Sequence, residues 1–228
     1  MMKSCLISIL VSLASFTTAW GQASGTQVTE TDSTLTLRNS KVRVEFPKGE
    51  AFDISKLTLN GKELVLSKGY NTVPWTLTYK GPQGENPVLF PSHGEYAGWA
   101  KTTKDGHVAI AFKWNMRLTY QDLVPVVMTV SLPGDSELAY WDIQAGTPDG
   151  WLVSNTQFPR ITVTRPDKAK LITSAGWGAE YNLSNPQVYT SSYPSVTGSM
   201  QLLLLHNPDG SVYYATEDRE ACGKDFRA

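Results

Sequence analysis

The side chains of this 228-residue chain best suited to acid–base work are six carboxylates, Asp142, Asp149, Glu180, Glu217, Asp218 and Glu220. Cleavage of a glycosidic bond would need two of them held about 5–10 Å apart, one as acid and one as base or nucleophile. The sequence pattern places no two of them on convergent positions. Glu217-Asp218 ends an apolar run, where charges at a strand end or turn are ordinary. The three histidines, His93, His107 and His206, are far apart, and none has a metal-ligand spacing such as two His at i and i+4. His107 follows Asp105-Gly106 and reads as a turn residue facing water. Cys222, with only Arg219 and Lys224 near it, reads as a surface thiol. Gly198-Ser199-Met200 lacks the second glycine of a nucleophile elbow and leads into a strand. Phosphate-cradling glycine loops are absent. The expectation is a chain with no catalytic residue, metal or cofactor of its own.

The aromatic residues carry more. Trp99 lies in Glu95-Tyr96-Ala97-Gly98-Trp99, and Trp177 in Gly176-Trp177-Gly178-Ala179-Glu180-Tyr181, both glycine-flanked segments that read as loops. A ring beside a carboxylate can hold a sugar: the ring stacks on the sugar face and the carboxylate accepts hydroxyl protons. Trp99, Trp177, Glu95, Glu180, Tyr96 and Tyr181 therefore form the candidate carbohydrate-binding set. The same rings could instead pack on a neighbouring domain or on the body of the fold, and both readings stay open. Trp114 and Trp141 fall within alternating runs and are expected in the core.

The elements that must position these residues are strands. Val42, Val44 and Phe46 alternate with Lys41, Arg43 and Glu45, a period of two. Val108, Ile110, Phe112, Trp114, Met116 and Leu118 form the longest such face, continuing to Tyr120. Val126, Met128, Val130 and Leu132 repeat it after a break at Pro125. These runs are rich in β-branched and aromatic residues, as half-buried strands are. Asn60-Gly61 between Leu57–Leu59 and Glu63–Val65 is a strong hairpin signal. Pro133-Gly134-Asp135 and Pro208-Asp209-Gly210 mark two further turns, the first leading to a strand over Leu138–Ile143. The count is roughly twelve strands at the spacing of a sandwich or barrel, with long irregular stretches at 81–106 and 174–198. The predicted class is an all-β, antiparallel β-sandwich in one domain over residues 22–228.

The first 21 residues read differently. Lys3 precedes an apolar run, Cys5–Phe16, too short to span a bilayer at about 20 residues, and Ala19-Trp20-Gly21 has small residues at −3 and −1. This is the layout of a signal peptide over residues 1–21, so the chain is expected to be secreted or periplasmic. Removing it leaves Cys222 alone, so no internal disulfide can form. No later stretch approaches a membrane span. With 20 basic and 21 acidic residues, nothing suggests a nucleic-acid partner.

Several segments together resemble a known family. Leu35–Asn39 followed by Val42–Phe46, and Leu138–Ile143 leading through Trp151–Val153 to Gln157–Ile161, resemble strands of a galactose-mutarotase-like β-supersandwich. Gly198–Leu205 followed by Asp209–Asp218 is similar to a segment of large bacterial proteins related to α-galactosidase- and α-glucosidase-type glycoside hydrolases. In those proteins the sandwich precedes a (β/α) barrel that carries the catalytic carboxylates. The resemblance implies a non-catalytic N-terminal sandwich, incomplete at its C-terminus, whose partners are that barrel, absent from this chain, and carbohydrate. A free-standing secreted carbohydrate-binding module is the alternative. A mutarotase-like enzyme, needing a catalytic Glu with His partners in one groove, finds little support in three scattered histidines.

Overall fold

The computed structural model describes residues 25–48, 54–64, 73–120, 122–161, 168–176, 178–183, 190–195, 198–207, 210–216 and 223–227. Residues 1–21, read above as a signal peptide, and Trp177, Glu217, Asp218, Glu220 and Cys222 lie outside the described residues. What is described is all-β and antiparallel, with a single 3-10 turn at Pro91–His93.

Five short strands follow one another as a meander: β1 (Gln27–Glu30), β2 (Thr34–Arg38), β3 (Val42–Pro47), β4 (Lys56–Leu59) and β5 (Lys62–Leu64). Asn60 and Gly61 join β4 to β5 with φ of +49° and +78°, the pair of positive angles that a two-residue hairpin turn requires. Next come β6 (Thr76–Lys80) and β7 (Val88–Leu89), which with β12 (Leu152–Gln157) make a small sheet in the order β12-β6-β7. Four longer strands, β8 (Gly94–Lys104), β9 (His107–Arg117), β10 (Leu123–Leu132) and β11 (Tyr140–Ala145), pair in the order β11-β10-β9-β8. Asp105-Gly106 turns β8 into β9 with φ of +51° and +80°, the same chemistry as Asn60-Gly61. The remaining strands are β13 (Lys170–Thr173), β14 (Ala179–Asn182), β15 (Thr190–Tyr193), β16 (Leu202–Asn207), β17 (Gly210–Ala215) and β18 (Lys224–Arg227). They form the sheet β14-β13-β16-β17 and the pair β15-β18.

The alternating residues point where their period directs them. Val42, Val44 and Phe46 from β3 meet Ile110, Phe112, Trp114 and Met116 from β9 and Val126, Met128 and Val130 from β10 in one buried cluster. Phe46 packs on Phe112 with ring centroids 4.9 Å apart. Trp75, Leu77 and Tyr79 close the cluster from the third sheet, Trp75 meeting Trp114 edge-on at 5.5 Å. The sheets β1–β5 and β8–β11 are thus the two layers of a sandwich, with the β6 sheet flanking them. A second, separate cluster of Ala169, Leu171, Leu183 and Leu203 underlies β13 and β16.

Several boundaries differ from the sequence reading. Residues 81–106 are not one irregular stretch: β7, the 3-10 turn and the eleven-residue β8 occupy much of it. Because β8 is an edge strand with a bulge between Tyr96 and Gly98, its alternation is broken and no period of two is visible. Residues 174–198 likewise contain β14 and β15. Pro125 does not break a strand, since β10 runs through it from Leu123; its carbonyl still accepts from the Gly146 amide. Strand β9 ends at Arg117, and Tyr120 is 91% exposed at the following turn. Strand β11 begins at Tyr140, two residues after the expected Leu138. Eighteen described strands replace the twelve anticipated, because the short ones carry too few residues to show a period.

Candidate functional site

Three of the candidate carbohydrate-binding residues lie on β8. Register pairs Glu95 with Asn115, Tyr96 with Trp114, and Trp99 with Phe112. Trp114 and Phe112 face the main core, so Tyr96 and Trp99 turn inward with them and are partly buried against it. Tyr96 tilts on Trp114 at 5.8 Å. Burial, and then the charge of Glu30, push the Tyr96 phenol up to about 12. Glu95 points to the opposite face and is exposed. The bulge, with Gly98 at φ +105°, lets Tyr96 and Trp99 share a face although three positions separate them. The rings of Tyr96 and Trp99 and the Glu95 carboxylate are therefore on opposite sides of one strand.

The other described members are on β14, in the smaller sheet. Tyr181 packs against the second cluster, and Glu180, on the other face, pairs with Lys170 at 2.7 Å. Glu95 and Glu180 are thus carried by different sheets with separate cores. Trp177 lies outside the described residues.

Of the candidate carboxylates, Asp142 has the most distinctive setting. It stands on β11 with its Oδ2 3.7 Å from Lys104 Nζ of β8, the other outer strand of that sheet. The intervening outward residues Ala109, Ala111, Thr129 and Ser131 are small and buried, which leaves room for the long lysine to reach across. Asp142 Oδ1 is buried with no hydrogen-bond partner among the described residues. On the same face His107 lies parallel to Tyr140, with centroids 6.1 Å apart and Tyr140 40% exposed. His107 is therefore a ring partner as well as a residue after a turn. His206 bonds to Ser211 at 2.7 Å, and His93 packs on Phe90. Among the described residues no three His, Cys, Asp or Glu side chains gather as metal ligands.

A concavity lies elsewhere, on the outward face of the first sheet. A groove of about 380 Å³ runs across β2–β5, lined by polar and charged side chains including Arg38, Lys41, Arg43, Lys56 and Glu63. Sequence reading placed Arg43 on the polar face of its strand but did not see that neighbouring strands add to it. Adjacency across the sheet depends on register, which alternation within one strand does not reveal.

No family model matches the chain. The chain is 40% identical over 223 residues to a protein of Bacteroides thetaiotaomicron provisionally named a glycoside hydrolase. The match covers 97% of this chain and 33% of that protein, so the chain spans about a third of its relative's length. What the similarity supports is a relationship between this all-β chain and one portion of a larger glycoside hydrolase-type protein.

Proposed function

We propose that the chain is the non-catalytic, galactose-mutarotase-like N-terminal β-sandwich of a larger exported glycoside hydrolase, supporting a (β/α) barrel and contributing to carbohydrate binding. The observation that carries this reading is the match of nearly the whole chain to one third of a glycoside hydrolase-type relative. Residues 1–21 are its export signal, and the product acts in the periplasm or outside the cell.

The second sheet supports a docking role. The run Leu202–Leu205 of β16 is apolar on both faces, as strands covered on both sides are. Leu203 is buried, whereas Ile172, Leu202 and Leu204 on the opposite face are only partly covered and Tyr213 beside them is 50% exposed. In this reading the barrel covers that face. Catalysis then belongs to the barrel, and the carboxylates of this chain bind or pair.

The purified, secreted chain should begin within two residues of Gln22 and hydrolyse no α- or β-linked glycoside above background. Turnover lost on Asp142→Asn, Glu180→Gln, Glu217→Gln or Asp218→Asn would overturn the non-catalytic assignment.

A further inference from the structure

We propose that the groove on the outward face of β2–β5 binds an oxyanion carried on a saccharide, a uronate carboxylate or a sulfate ester, with Arg38 and Arg43 as its anchors. The proposal rests on the carbohydrate reading above and names the class of sugar.

The argument begins with register. Arg38 of β2 stands directly opposite Arg43 of β3, and Arg43 directly opposite Thr58 of β4. Side chains directly opposed on adjacent strands are neighbours, and like charges there repel. Arg43 is compensated by Glu45, its Nη2 2.5 Å from Oε1. Arg38 is not: it donates to the neutral Gln27 Oε1 at 2.9 Å and makes no ion pair among the described residues. An uncompensated guanidinium held beside a second one is a fitting partner for an added anion, which each fork can grip through paired N–H donors.

The surroundings suit a ligand larger than a bare ion. Lys41 and Lys56 line the same groove. Lys56 is held by Glu63 at 2.7 Å, and Lys41 lies 3.8 Å from Glu137. The carboxylates Glu45, Glu63 and Glu137 thus offset three of the four cations, leaving Arg38 in excess. Thr58, directly opposite Arg43, adds a small polar side chain to the lining. The volume of about 380 Å³ falls in the range of small-molecule sites, on the order of 300–1,000 Å³.

Calorimetric titration of the whole chain distinguishes the possibilities. The probes are an oligogalacturonide, its fully methyl-esterified form, a sulfated galactan oligosaccharide, neutral gluco- and galacto-oligosaccharides, and inorganic sulfate. One or both charged saccharides should bind more tightly than the neutral ester, and which of them binds identifies the anion. Affinity should fall with added salt, since the contacts are exposed. The Arg38→Gln, Arg43→Gln double variant should lose roughly tenfold or more in affinity, as each charge-assisted fork contributes to it. Arg38→Gln alone should melt close to the parent, because the exposed bond to Gln27 that it loses is offset by the repulsion that it removes. Equal binding of ester and acid, or unchanged binding by the double variant, would overturn the proposal. So would inorganic sulfate binding as tightly as the charged saccharides, which would mark an adventitious ion only. Binding of neutral sugars alone would overturn this site and leave the carbohydrate reading standing. Binding of no saccharide at all would end both.

Discussion

Asn39 shows how much a single side chain holds in a fold made of short strands. Its Oδ1 accepts from the amides of Lys41 and Val42, at 2.8 and 2.6 Å, and so shapes the turn between β2 and β3. Its Nδ2 donates to the carbonyls of Pro133 and Ser136, at 2.6 and 2.8 Å, in the connection from β10 to β11. One amide therefore ties the end of the first sheet to the end of the second. Asn39→Ala should cost about 2–3 kcal/mol in urea unfolding, because it strands partly buried groups as well as losing bonds. Asn39→Asp keeps the acceptor half but sets a carboxylate oxygen against the Pro133 and Ser136 carbonyls, so at neutral pH it should lose at least as much. Sequence reading included Asn39 only within a strand pattern, since the carbonyls that its Nδ2 reaches, those of Pro133 and Ser136, lie more than ninety residues away.

At the scale of the element, β16 offers a contrast between adjacent leucines. Leu203 points into the second cluster at 6% exposure, and Leu204, one residue on, points away from it. Leu203→Ala should cost about 2–5 kcal/mol by lost burial and a cavity. Leu204→Lys should leave the melting temperature of the isolated chain within a few degrees, because the lysine stem can lie along the partly covered face. Equal losses in the two variants would mean that both faces of β16 are closed within this chain, and the docking role would lose its surface. Edge strand β8 teaches a related lesson. Its bulge turns Trp99 toward Phe112, so glycines that look like loop signals in sequence instead mark a change of phase within a strand.

Across the whole molecule, burial is unequal. The main cluster draws on three sheets and buries Trp75, Trp114, Tyr79, Phe46 and Phe112 almost completely. The second has four buried residues with Tyr181, Leu205 and Tyr214 around them. Burial raises the phenols of both Tyr79 and Tyr214, the former bonded to the Gly146 carbonyl at 2.8 Å. Because opening free energy tracks local burial, amides of β9 and β10 should exchange slowest, and those of β13 and β16 should open at a lower free energy. Native-state hydrogen exchange reads this directly. Identical opening energies in the two regions would show a single cooperative unit.

The sequence by itself determined the class of this protein. Period-two runs at 42–46, 108–118 and 126–132, with turns at Asn60-Gly61 and Pro133-Gly134, leave no helical alternative, because side-chain direction along a chain follows from local backbone geometry. It also identified the inward face of β9, where Ile110, Phe112, Trp114 and Met116 are buried as the alternation requires. Tertiary structure decided everything that depends on which strands lie side by side. Only register sets Arg38 against Arg43 and separates Glu95 from the rings of Tyr96 and Trp99. Only the strand order β11-β10-β9-β8 brings Lys104 to Asp142 across a sheet. These are contacts between residues distant in the chain, and alternation within one strand carries no information about its neighbour.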